Sequence, residues 1–347
     1  MKNKYDYLIV GAGLAGTSLA QRLLEKQQQV TLIDSGQNNS TAIAAGIINP
    51  MVFRRMNKSW RVDGFLKEAI TYYKNLEDDL NIKLIRPLFL RRLFSSLQEK
   101  EFWEKRQFEK EYSAYLEILT AEDLNYSLTK NDFGSGRVKQ AFWIEAQTYY
   151  TSQINYFESL GLLLKENFSE KDFNAEGGIY KDILYDKIIF CCGSNNAEIP
   201  YFFDIPIEKT KGQTLTISCK DLPENESLNR KTFVLPLENN TFKIGATYEW
   251  EDGSINTTKE ARQLLLENFS VISDLPVEVI DQVAGIRPTV LDRRPVLGQH
   301  KIHKKLFIFN GLGAKGYLMA PTLAREMAEY LLGEGTISKE VAINRFY

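Results

Sequence analysis

Gly11, Gly13 and Gly16, set in GAGLAG directly after the apolar run Tyr5 to Val10, have the spacing that brings backbone against a diphosphate. The first supplies a tight turn, the second lets a pyrophosphate approach the chain, and the third lets helix pack on strand. The phosphates then meet the positive end of a helix dipole. Leu14 and Ala15 complete the turn, and the helical spacing of Leu19, Leu23 and Leu24 continues it over Thr17 to Glu25. Asp34 stands 18 residues after Gly16, at the end of a second apolar run from Gln29 to Ile33, where a carboxylate can accept hydrogen bonds from a ribose. A lone GxGxxG is weak evidence. Strand, glycine turn, helix, strand and acid within roughly 30 residues make a dinucleotide site the reading.

A second cluster lies near the other end of the chain. Gly311, Gly313 and Gly316, with Lys315 between the last two, follow the apolar run Leu306 to Asn310 and open a helix. Such an arrangement aims N–H groups, a helix dipole and one cation at a point where negative charge is held. The ring of a reduced flavin develops charge of that kind, although the same residues also suit a plain helix start with flexible glycines. Thr41 to Pro50, TAIAAGIINP, carries small residues and Gly46. It suits a chain passing close to a bound cofactor, or a close-packed loop.

Other chemistries lack their parts. The two histidines, His300 and His303, lie in the lysine-rich stretch QHKIHKK, where a solvent-facing turn with no catalytic role is expected. A Ser-His-Asp triad, a HExxH site and a His/Cys metal site are therefore excluded. The three cysteines are odd in number and two are adjacent, which argues for a reducing compartment, the cytoplasm, over a disulfide framework. No apolar run approaches the roughly 20 residues of a membrane span, and the first strand leads into the glycine turn instead of a cleavage site. A net charge of −2 leaves only local patches such as Arg54, Arg55, Lys58 and Arg61 for a polyanion, and these also suit a solvated loop and helix start.

The elements that would position these residues follow from periodicity. Val62 to Leu80 reads as an amphipathic helix, Leu84 to Leu93 as a strand, Glu99 to Tyr112 as a helix and Phe133 to Ile144 as strands. Glu145 to Leu160 is a helix, followed by strands over Leu162 to Phe168, Ile179 to Tyr185 and Lys187 to Cys192. Strand over Ile205 to Ile217 and a hairpin over Thr232 to Tyr248, with its turn at Glu238 to Asn240, come next. A helix over Glu260 to Phe269, strands over Val277 to Ile286 and Leu306 to Asn310, and a helix from Tyr317 to Leu332 close the chain. The expected class is α/β (α+β overall): a Rossmann-like FAD/NAD(P)-binding domain with an inserted, mostly antiparallel substrate domain. The nucleotide domain is expected over 1–83, 141–204 and 285–347, and the substrate domain over 84–140 and 205–284.

GAGLAG, TAIAAGIINP, KGQ at Lys211 to Gln213, the hairpin FVLPLENNTFKIGATYEW, AGIRPTVLDRRPVLG and GLGAKGYLMAP fall in an order that resembles the D-amino-acid oxidase and glycine oxidase family of FAD-dependent oxidoreductases. Within it, GLGAKG and the terminal NRFY look most like the flavin domain of the bacterial bifunctional enzyme that matures the tRNA wobble uridine. The resemblance implies FAD, held non-covalently, since no cysteine stands in the C-terminal motif and no histidine precedes position 300. It extends the cofactor contacts to Ser35, Ala45 and Ile47, to Cys192 and Gly193 in CCGSNN, and to Gly212. Arg287 joins them, as do Ala314 and Tyr317 beside Lys315.

It also implies that Arg287 clamps a substrate carboxylate, which a planar guanidinium can pair bidentately; taken alone, the residue could equally be a structural ion pair. Tyr248 falls where a side chain faces the substrate, or packs in the core. Lys315 replaces a histidine or arginine, and Phe233 replaces a tyrosine, with loss of a hydroxyl. The expected reaction is oxidation of the C–N bond of a small amine or amino acid by hydride transfer to flavin N5, with dioxygen or another electron acceptor completing the cycle. Alternatives are removal of a carboxymethyl group from a modified tRNA base, dehydrogenation of a 2-hydroxy acid, and a flavin protein without turnover. A tRNA contact is not favoured and would need the Arg54 to Arg61 patch with Arg91 and Arg92.

Overall fold

The computed structural model describes residues 4–37, 40–119 and 129–347. The main elements, in chain order, are β1 (Lys4–Val10), α1 (Leu14–Glu25), β2 (Val30–Ile33), α2 (Val62–Leu80), β3 (Leu90–Leu93), β4 (Ser135–Val138), α3 (Ala146–Ser159), β5 (Ile183–Phe190), β6 (Ile207–Ser218), β7 (Ser227–Arg230), β8 (Thr232–Pro236), β9 (Thr241–Gly245), α4 (Lys259–Ser270), β10 (Glu278–Val290), β11 (Leu306–Asn310) and α5 (Gly316–Leu332).

β1 pairs in parallel with β2 on one side and β5 on the other. Leu163–Leu164 extends the sheet beyond β2, and β11 extends it beyond β5, both in parallel. A parallel strand is covered on both faces, so it reads as a continuous apolar run. The five residues of β11 are all buried, as are Leu8 and Ile9 of β1. Helix α5 packs on α1 and α2. The two remote glycine turns are thereby drawn to the same carboxyl edge of one sheet, where an open α/β fold binds ligands.

The second sheet runs in the order β10-β6-β9-β8-β7-β3-β4 and ends on Leu116–Ile118. All its pairs are antiparallel except β7 with β3. Its strands alternate: Leu215, Ile217, Phe242 and Ile244 pack with Leu265 and Phe269 of α4. Gly212, Thr214, Gly245 and Phe233 take the opposite face, which is the wall of a cavity. The β8–β9 turn places Asn239 and Asn240 at φ 58° and 55°, the left-handed pair that a tight hairpin demands.

Several elements depart from expectation. The strand expected over Leu84 to Leu93 is two, Ile85–Pro87 pairing with Phe142–Ile144 while β3 joins the second sheet. β5 runs unbroken through Asp186, because its parallel pairing with β1 on either side of that residue holds the backbone extended whatever one side chain prefers. The strand over Leu162 to Phe168 shrinks to two residues. β10 is longer than its apolar pattern and runs through Pro288 to Val290; it is an edge strand, where a missing N–H is tolerated. His300 is not solvent-facing: it is buried, and its Nδ1 accepts hydrogen bonds from the N–H groups of Ile302 and His303. Burial holds its pKa below the usual imidazole value.

Candidate active site

A cavity of about 740 Å³ lies between the two sheets. At one end sits the first glycine turn. Gly11 has φ 104°, and a Cβ there would overlap the Cys191 carbonyl, while a Cβ on Gly16 would overlap the carbonyl oxygen of Gly11. Both positions are set by protein packing. Gly13 differs, since a Cβ there would meet only the Thr41 hydroxyl, at 3.4 Å, beside the cavity. Ala12 N–H donates to Asp34 Oδ2 at 2.5 Å, and Leu14 N–H donates to Thr41 Oγ1 at 2.9 Å. Among the described residues no hydrogen bond is recorded for the N–H groups of Gly13, Ala15 and Gly16. Unspent donors at a helix start, beside open space, could receive a diphosphate. Asp34 Oδ1 accepts from Gly36 N–H at 2.6 Å, and each oxygen keeps a second lone pair for a ribose hydroxyl.

The middle of the cavity is walled by Ala45, Gly46 and Ile47, by Cys192 and Gly193, and by Gly313, Ala314, Lys315, Gly316 and Tyr317. Gly46, at φ 68°, lies so close to Ile144 that no side chain fits. Of the expected contacts, Gly16 and Gly311 do not wall the cavity; each instead makes room for packing, Gly311 against Val290. Lys315 is tied back: its Nζ donates to the carbonyls of Asn49 (3.0 Å) and Met51 (3.1 Å) and to the Ser59 hydroxyl. With no carboxylate paired to it among the described residues, burial pushes its pKa down to about 8. Tyr317 turns its hydroxyl away to donate to the Thr41 carbonyl at 2.9 Å.

At the far end, β10 presents Arg287 over Gly212 of β6, and a Cβ on Gly212 would overlap the guanidinium. Arg287 is half-buried, and its Nη1 donates to the Thr247 carbonyl at 3.3 Å. Its Cζ lies 4.4 Å from the ring centroid of Tyr248, which is 59% exposed. Among the described residues Arg287 has no carboxylate within ion-pair distance. Burial lowers its pKa, with Tyr248 opposing that shift. Phe233 and Thr214 complete this wall, and Lys231 and Asn229 stand near it.

Sequence reasoning did not anticipate Thr41 as a cap on α1, nor the wall formed by Tyr150 and Glu166 to Phe168. The latter follows a two-residue strand and carries no motif. Of the basic residues weighed for a polyanion, Arg55 is exposed, whereas four others are engaged in ion pairs. Arg91 is buried against Glu226 at 2.7 Å, Arg92 pairs with Glu99 at 2.7 Å, Arg61 pairs with Glu326 and Lys58 with Asp63. The side chain of Arg54 lies outside the described ones. Among the described residues, no helix is long and apolar enough to cross a membrane.

The family model described as FAD dependent oxidoreductase matches residues 6–330. The chain is 23% identical over 361 residues to the glycine oxidase of Bacillus licheniformis, spanning 96% of this chain and 94% of that one. It is 24% identical over 357 residues to the tRNA 5-methylaminomethyl-2-thiouridine biosynthesis bifunctional protein MnmC of Acinetobacter baylyi, spanning 94% of this chain but 53% of that protein. The solved glycine oxidase from Geobacillus kaustophilus superposes with a TM-score of 0.81 at 17% identity, covering 97% of this chain and 96% of that one. The fold is the same.

Proposed function

The chain belongs to the family of FAD-dependent oxidoreductases, and from that premise we propose that it oxidises the C–N bond of a small amine or amino acid whose carboxylate is held by Arg287. One observation carries the proposal: a half-buried guanidinium, without an anionic partner among the described residues, faces the cavity that the glycine turns open onto. A buried charge left unpaired is costly, and a substrate carboxylate would satisfy it bidentately.

When bound, FAD supplies the acceptor for a hydride from the carbon next to nitrogen. The residues proposed to hold it are the unspent N–H groups of the first turn for the diphosphate, Asp34 for the ribose, and the 313–317 segment for the ring. Arg287 fixes the carboxylate and so the direction in which the α-carbon points. Tyr248 covers one face of the guanidinium, and Phe233 offers an apolar wall where a hydroxyl would otherwise reach substrate. No histidine walls the cavity among the described residues, and none is required if the amine arrives deprotonated, because orientation supplies most of the acceleration. Lys315 contributes positive potential near the ring while its ammonium stays charged. The imine product leaves and hydrolyses in water, and dioxygen or a second acceptor closes the cycle.

The test is anaerobic mixing of the FAD-loaded protein with glycine, sarcosine, D-amino acids and 2-hydroxy acids, followed at the flavin absorbance band. Bleaching by an amine or amino acid, and not by the hydroxy acids, is the expected outcome. Bleaching by 2-hydroxy acids alone would overturn it, as would no bleaching at all. Acid precipitation should leave the flavin in the supernatant.

A further inference from the structure

Lys211 is wholly buried, yet it does not wall the cavity. Its Nζ donates to the carboxylate of Asp252 and, at 3.4 Å, to Ser254 Oγ. Both acceptors belong to the loop that leaves the site just after Tyr248. The same β6 segment is bonded to that loop on either side of Tyr248. Thr247 N–H donates to the Gln213 carbonyl at 3.1 Å, Glu249 N–H to the Lys211 carbonyl at 3.0 Å, and Lys211 N–H to the Glu249 carbonyl at 2.8 Å. Gln213 N–H donates to Thr247 Oγ1 at 2.9 Å, and the Gln213 amide donates to Glu249 Oε1 at 3.1 Å and Thr258 Oγ1 at 3.2 Å. Between the two, Gly212 leaves the space that the Arg287 guanidinium fills.

The Lys-Gly-Gln triplet therefore touches both halves of the clamp. A tyrosine ring more than half exposed has little packing to fix it. The position of Tyr248 over Arg287 depends on its bonded neighbours and on what holds the loop beyond them. An ammonium with no exposure, paired to a carboxylate that is 41% exposed, is an expensive tether, since desolvating a lysine costs more than a surface pair returns. Its geometric effect is to fix one loop conformation, with Tyr248 on one face of the guanidinium and the edge beside the cavity left open.

We propose that Lys211, through Asp252, is a positioning residue for the substrate carboxylate: it holds the 247–254 loop so that Tyr248 fixes the Arg287 guanidinium with its donor edge toward the cavity. This rests on the reading that Arg287 takes a carboxylate. The test uses the full-length, FAD-loaded protein titrated with acetate, a bare carboxylate, and read by the change in flavin absorbance. Asp252→Ala should weaken acetate about tenfold, a coupling of ordinary size for groups sharing one network, while leaving the FAD dissociation constant unchanged. Asp252→Glu should restore most of the affinity. In a Tyr248→Ala background the added Asp252→Ala should cost less than about twofold, because the pair acts through the ring that is already gone.

Equal losses in both backgrounds would mean a general structural role and overturn the proposal, as would parental acetate affinity in Asp252→Ala. If Asp252→Ala does not fold, Asp252→Asn, which removes the charge and keeps an acceptor, carries the same comparison. Arg287→Met separates the two levels. Acetate binding lost in Arg287→Met but intact in Asp252→Ala sinks the positioning role alone. Binding that persists in Arg287→Met, or a parent protein indifferent to acetate, sinks the carboxylate reading and the positioning role with it.

Discussion

Arg287 and Lys315 both line the cavity with no acid partner among the described residues, and they make different predictions. A guanidinium presents a planar fork that an ammonium cannot copy. Arg287→Lys should therefore lower kcat/KM for carboxylate-bearing amines by roughly a hundredfold, in the range expected when a buried charge pair loses its geometry, while a carboxylate-free amine is oxidised no more slowly. Equal losses for both substrate types, measured in parallel assays, would remove the clamp. Lys315 is pushed down to about 8 by burial, so the folded apoprotein gives up a proton that the unfolded chain keeps up to the ordinary lysine range. Stability from this group is lowest below pH 8 and rises between about pH 8 and 10.4, by roughly 3 kcal/mol over the whole window. Urea unfolding of the apoprotein and its Lys315→Met variant should show the parent gaining on the variant across that interval. A constant difference would mean that the ammonium is solvated. At this scale the chemistry of each residue type was legible in the sequence, but its partners were not. Lys315 stood beside glycines on paper, whereas its side chain reaches back to Asn49, Met51 and Ser59.

The strand, glycine turn and helix of the N-terminal unit contain three glycines that look alike in sequence and differ in what crowds them. Gly16→Ala would drive a methyl into the Gly11 carbonyl and should destabilise the apoprotein by about 2 kcal/mol or more, within the range of overpacked cores. Gly13→Ala meets only a hydroxyl at ordinary contact distance. It should leave apoprotein unfolding within about 0.5 kcal/mol of the parent and weaken FAD at least tenfold, because the methyl occupies the approach to the proposed diphosphate cradle. Thermal unfolding and quenching of flavin fluorescence separate the two effects. A Gly13→Ala protein that binds FAD normally would put the diphosphate elsewhere. Local periodicity located α2, β11 and α5 to within a residue, since long amphipathic or fully apolar runs leave one solution. It failed where pairing partners set the boundary: β5 keeps Asp186 extended through its pairing with β1, and the strand at Leu84 to Leu93 splits because its two halves belong to different sheets.

The whole molecule binds its ends together. β1 opens the parallel sheet, while β11 and α5, more than 300 residues later, supply its other glycine turn and much of its core. A chain ending at Lys304 would strip α1 and α2 of the helix that covers them. Such a truncation should lose cooperative unfolding and FAD binding together; a soluble, cooperatively unfolding fragment that still takes up FAD would show the second turn to be dispensable. The same closure explains the limits of the sequence. The sequence by itself determined the glycine turn after β1, the acid at the end of β2, the alternation of a mostly antiparallel second sheet and the scarcity of histidine, because these depend on residue type and on spacings of a few tens of residues at most. Only the tertiary structure decided which cations lack anions, that Arg91 and Arg92 are consumed by internal pairs, that His300 is buried, and that Lys211 grips the loop beside Tyr248. Most of those facts are contacts between segments far apart along the chain, and spacing along a chain carries no record of the distances that close when it folds.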